Sequence, residues 1–138
     1  MHYALAFVVT AVVFLVLDIT WLTLMGQRLY REEIGQLLAK DVRLLPALAF
    51  YVLYISGALY FAVRPALASG RAMDALLPAA ILGLVAYGTY DLTNQATMVV
   101  WSTKITFFDL LWGAVITGVS CTAAAWVTLK VFKNLQPS

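Results

Sequence analysis

LLPAAILGLVAYGTYDLTNQATMVVW, residues 76–101, is an apolar run whose most polar stretch, Tyr87-Gly88-Thr89-Tyr90-Asp91-Leu92-Thr93-Asn94, carries an aspartate well inside it. A crossing helix needs ~20 mainly apolar residues, so the run is long enough to span a bilayer and Asp91 falls at membrane depth. An ionisable group in hydrocarbon costs at least ~2.5 kcal/mol on insertion scales, so such a residue normally faces the protein interior and often marks a function. Helical spacing puts Tyr87 at i−4 and Asn94 at i+3 of Asp91, aligning a phenol, a carboxylate and an amide on one face.

The rest of the chain has the same character. Of 138 residues 63% are hydrophobic and 12% charged, against an ordinary ~45–50% and ~25%, which identifies an integral membrane protein. The expected architecture is all-α: a four-helix membrane bundle forming one domain, residues 1–138. Its spans are expected at about 3–25, 47–64, 76–99 and 105–129. The first run lacks the basic n-region and small-residue cleavage site of a signal peptide, so it reads as a retained helix. Pro65 is expected to stop the second span, and 66–75, with Ser69-Gly70-Arg71, reads as a loop. Between spans one and two, Tyr30, Ile34, Leu37 and Leu38 recur at helical spacing among charged neighbours, so a short amphipathic interfacial helix is expected at about 28–40.

Charge excludes several partners. A net +2, scattered, suggests neither nucleic acid nor a polybasic lipid tether. One cysteine, Cys121, allows no internal disulfide and reads as a packed small side chain. The spans hold no His or Glu, which removes haem, di-iron and nucleophile-triad sites, and no cofactor is expected. Four Lys/Arg follow the first span and none precedes it, so the positive-inside rule favours a non-cytoplasmic N-terminus.

Two further acids lie inside spans. Asp18-Ile-Thr-Trp21 and Asp109-Leu-Leu-Trp112 repeat an Asp-x-x-Trp pattern, with Asp91-Leu-Thr-Asn94 an imperfect third copy. In an up-down-up-down bundle all three acids occupy the same leaflet, each roughly 6–15 Å inside its span end at 1.5 Å per residue. No basic side chain inside a span compensates them, so at least one is expected to be protonated, hydrogen-bonded or occupied by a cation. Tyr51 and Tyr54, one turn apart near the start of span two, can point phenols at the acids or serve as belt residues. The candidate ligand-binding set is therefore Asp18, Trp21, Tyr51, Tyr54, Tyr87, Asp91, Asn94, Asp109 and Trp112. A hard cation can use Asp18, Asp91, Asp109 and Asn94, since oxygen ligands suit it, but no metal is assigned. A polar network that only fixes helix packing is the competing explanation.

The Tyr87–Asn94 string with Ala96-Thr97, Asp18-x-x-Trp21, Phe50-Tyr51-x-Leu53-Tyr54, Phe61-Ala62-Val63-x-Pro65-Ala66-Leu67 and Asp109-x-x-Trp112-Gly113 resembles a family of small bacterial integral membrane proteins catalogued as a domain of unknown function. The resemblance covers essentially the whole chain. It implies a four-span bundle in the bacterial inner membrane and supplies no catalytic residues; members are often encoded near lipid-modifying genes, which implies work on or beside lipids. Three functions stand open. The leading one is a binding or transport-like protein whose acidic-aromatic pocket takes a small amphipathic or lipidic ligand, with proton coupling as an option. The second is a lipid-modifying enzyme or its subunit, one Asp acting as acid or base. The third is a structural partner in a membrane complex. Expected partners are membrane lipids, such a ligand, and a homo-oligomer or larger membrane complex.

Overall fold

The computed structural model describes residues 1–134; residues 135–138 of the expected domain lie outside the described residues. Among the described residues there is no strand, and four helices are long and apolar enough to cross a membrane. They are α1 (His2–Leu37), α2 (Leu44–Ser69), α3 (Ala72–Thr97) and α4 (Thr103–Asn134). Their directions alternate. The His2 ring at the start of α1 meets the Phe132 ring at the end of α4, 5.5 Å between centroids, while Tyr51 near the start of α2 reaches Asp18 towards the other end of α1.

The most buried helix is α4, packed against α3 on one side and α1 on the other. Its inward surface is made of small residues, Gly113, Ser120, Cys121, Ala124 and Ala125, with Ile116 and Thr117. Lipid tails are as apolar as leucine, so helices here gain by close van der Waals approach, which small side chains permit. The closest approach is Gly83 of α3 on Gly113 of α4: a Cβ on Gly83 would overlap the Gly113 carbonyl. The small-residue pair Ala79 and Gly83 is thus a helix contact, and Cys121 is buried as expected. In α1 the buried residues Ala6, Thr10, Phe14 and Asp18 recur every four positions and form one inward stripe. Asp18 faces the bundle because it continues that stripe.

Helix α2 is the outlier, with only 11% of its apolar window buried. It meets α3 mainly through Leu59–Val63, and its first half stands apart from α3. Here the expectation of a span ending at Arg64 is corrected, because the helix runs through Pro65 to Ser69. A widened turn over Leu59–Val63, in which the Arg64 N–H bonds the Leu59 carbonyl, precedes the proline; the extra residue relieves the clash of the ring with the preceding turn. The expected 66–75 loop shrinks accordingly to a tight turn. Gly70, at φ +70°, closes α2 with Arg71 N–H to Ala66 O at 3.2 Å and Gly70 N–H to Leu67 O at 3.3 Å, a Schellman cap that needs a left-handed residue.

The amphipathic segment after span one is also revised. The chain turns at Met25 (φ −98°, ψ −18°), continues through a wide turn, Gly26–Arg31, and ends its helical course at Leu37, short of residue 40. Trp21 and Tyr30 share a hydrogen bond across nine residues, which on a straight helix would lie ~13.5 Å apart on opposite faces. The segment therefore bends across the end of the bundle. Leu29 and Ile34 are buried against Ile105, whereas the expected stripe members Leu37 and Leu38 are exposed. Glu33 fastens the segment to the start of α4, accepting from the Ser102 hydroxyl at 2.7 Å with the Lys104 ammonium 3.4 Å away.

Candidate functional site

The polar groups gather at the end of the bundle where α1 leaves the span. At 1.5 Å per residue, Tyr51 lies roughly 10 Å from the start of α2, Asp91 roughly 9 Å from the end of α3 and Asp109 roughly 9 Å from the start of α4. The three carboxylates have three different environments. Asp18 accepts from the Tyr51 hydroxyl at 2.6 Å, and the buried Trp112 indole N–H faces it without reaching hydrogen-bond geometry. Asp109 accepts from the Tyr30 hydroxyl at 2.5 Å, and that oxygen in turn accepts from the Trp21 indole N–H at 2.9 Å. Asp91 is fully buried, and neither of its oxygens has a partner.

The two Asp-x-x-Trp copies meet face to face. Trp21 and Trp112 stack at 4.5 Å between centroids and 9° between planes, so each aspartate sits beside the tryptophan of the other copy: Asp18 next to Trp112, and Asp109 joined to Trp21 through Tyr30. Trp21 is therefore a packed member of the bundle.

Beside this network lies an open groove of about 410 Å³ lined by Phe50, Ala86, Tyr87, Tyr90, Asp91 and Asp109. It occupies the gap left where the first half of α2 stands apart from α3. Phe50 and Tyr90 are 44% and 61% exposed, so the mouth is aromatic and faces outward from the bundle. Asp91 and Asp109 share the lining, and none of the lining residues is basic.

Of the nine residues singled out from sequence, the structure hydrogen-bonds Asp18 to Tyr51 and, through Tyr30, Trp21 to Asp109, brings these two sets side by side at the Trp21–Trp112 stack, and puts Tyr87, Asp91 and Asp109 on the groove. Tyr54 turns elsewhere: it donates at 2.7 Å to Thr117 Oγ1, whose own proton goes to the Gly113 carbonyl at 2.7 Å. Asn94 lies one turn beyond Asp91 and makes no hydrogen bond to it. Among the described residues no three of His, Cys, Asp and Glu come close enough together to hold a metal ion, so Asp18, Asp91 and Asp109 do not converge on one point. Three site residues escaped the sequence reading. In the sequence Tyr30 carries only the signal of an amphipathic stripe, and Phe50 and Tyr90 only that of the strings they belong to.

These features define a polytopic α-helical membrane protein with an intramembrane cluster of carboxylates, phenols and indoles beside an open groove. The chain belongs to the family described as Predicted membrane protein (DUF2177), whose model matches residues 3–126. No curated protein and no solved structure matches it significantly.

Proposed function

We propose that the protein is a membrane-embedded binding or transport-like protein of the bacterial inner membrane whose groove takes a small amphipathic ligand from the surrounding lipid. The observation that carries this is Asp91, a fully buried carboxylate with both oxygens unpartnered at the edge of an open aromatic groove. Buried polar groups are nearly always hydrogen-bonded, and an orphan acceptor costs about 1–3 kcal/mol, more when charged. A polar network serving only to fix helix packing would pair its members, as Asp18 and Asp109 are paired. Membrane lipids are its immediate partners, and a homodimer or larger complex is the way a four-span chain builds a complete pathway. The lipid-modifying enzyme is the second reading; what favours it is Asp109, held by Tyr30 beside the same groove as a positioned acid or base.

The test is the amphiphile content of protein purified in mild detergent, measured by native mass spectrometry for wild type, Asp91→Asn and Asp91→Leu. Asn keeps the shape and hydrogen-bonding capacity but not the titratable group, so this variant should purify normally and lose bound amphiphile. Leu removes both and should lose thermal stability too. An Asn variant matching wild type in bound amphiphile and in stability across pH would end the proposal and leave a structural role.

A further inference from the structure

Resting on the binding reading above, we infer that the ligand's headgroup is a protonated primary amine carried on an apolar chain. The groove presents acceptors in excess of donors: both Asp91 oxygens are unpartnered, and Asp109 has only its Oδ1 engaged, by Tyr30. With no basic lining residue, an anionic headgroup would sit against two carboxylates uncompensated. A neutral hydroxyl brings one proton, enough for one of the waiting oxygens. A primary ammonium brings three N–H donors and a positive charge, which matches the acceptor set in number and in sign.

The walls fit the same chemistry. Phe50, Tyr87 and Tyr90 line the groove together with the carboxylates, and aromatic rings attract a cation through the ring quadrupole. A quaternary ammonium would use the rings but has no N–H, and it would leave Asp91 as it stands, buried without a donor. The volume of about 410 Å³ exceeds what a headgroup alone requires, since one water occupies ~30 Å³, so the first part of an apolar chain fits with it. The outward-facing, largely exposed Phe50 and Tyr90 give that chain an apolar exit toward lipid.

The experiment measures binding to the full-length protein in maltoside micelles with three probes of one chain length: dodecylamine at neutral pH, dodecyltrimethylammonium and 1-dodecanol. Dodecylamine should bind about ten- to hundredfold more tightly than either of the others, the ratio that one or two charge-assisted hydrogen bonds supply, and Asp91→Asn should erase that preference. A second arm separates the sources of the ammonium. Enrichment of phosphatidylethanolamine over phosphatidylcholine in nanodisc-derived protein assigns it to a lipid headgroup, whereas dodecylamine binding without that enrichment assigns it to a free amine; either supports the inference. Binding of dodecanol or dodecyltrimethylammonium to wild type as tight as dodecylamine overturns the ammonium and leaves the groove as a binding site. Absence of binding by all three overturns both. The headgroup comparison uses wild-type protein, so it decides the question even where Asp91→Asn purifies poorly.

Discussion

Removing one oxygen atom tests whether the bent segment after span one holds the site together. In Tyr30→Phe the ring and its packing stay, but the hydroxyl that accepts from Trp21 at 2.9 Å and donates to Asp109 at 2.5 Å is gone. Two hydrogen bonds disappear, one neutral and one to a carboxyl, leaving an indole donor and a carboxyl acceptor in a partly buried place. Values in water are about 1 kcal/mol for the neutral bond and about 1.5–3 for one to a charged group. Inside membranes, interhelical bonds average only ~0.6 kcal/mol, because the unfolded chain also finds partners there. Together these bracket the loss at about 1–4 kcal/mol. The assay is reversible unfolding of the purified protein in mixed micelles, run as a double-mutant cycle with Asp109→Leu, which removes the acceptor. The cycle should give a coupling of at least ~0.6 kcal/mol, beyond the ~0.3–0.5 within which independent sites add. A Tyr30→Phe variant as stable as wild type with no coupling to Asp109 would refute the view that Tyr30 joins the segment to the carboxylate cluster.

Other outcomes follow from the geometry. Gly83→Ala should destabilise by about 1–3 kcal/mol, since its Cβ would overlap the Gly113 carbonyl and lie 2.6 Å from Thr117 Oγ1, whereas Gly88→Ala, with nearest neighbours at 3.8 Å, should be neutral or stabilise by up to about 1 kcal/mol; chemical denaturation of both variants checks the contrast. The Ser102 hydroxyl, and behind it the Lys104 ammonium, hold the Glu33 carboxyl below its ordinary value of 4.5. A depressed carboxyl contributes stability that is present above its unfolded value and is lost as pH falls through the folded one. The melting-temperature difference between wild type and Glu33→Gln should therefore be constant at neutral pH and shrink below about 4.5; a difference that grows on acidification contradicts the assignment. A periplasmic-active reporter fused at Ser138 should be functional, because an even number of spans returns the chain to the side of a non-cytoplasmic N-terminus; activity of a cytoplasmic reporter there would reverse the orientation.

Hydropathy by itself determined the class and the four apolar runs, since each is long enough to cross a bilayer and few charges interrupt it. Local periodicity also turned Asp18 inward, because it extends the Ala6, Thr10, Phe14 stripe, whereas the stacking of Trp21 on Trp112 was decided by the packing of α1 against α4. What local pattern did not carry was decided by neighbours far along the chain. The helix continues through Pro65 because a wide turn absorbs the ring. Tyr30 enters the site because the chain bends at Met25 and meets a carboxylate 79 residues away. The fates of the two tyrosines Tyr51 and Tyr54, one bound to Asp18 and the other to Thr117, were undetermined by their spacing, since either phenol reaches whatever acceptor its facing helix offers. The unpaired state of Asp91 is the most tertiary fact of all. A sequence shows that a carboxylate is there, but only the divergence of α2 from α3 leaves it without a partner and with a groove beside it.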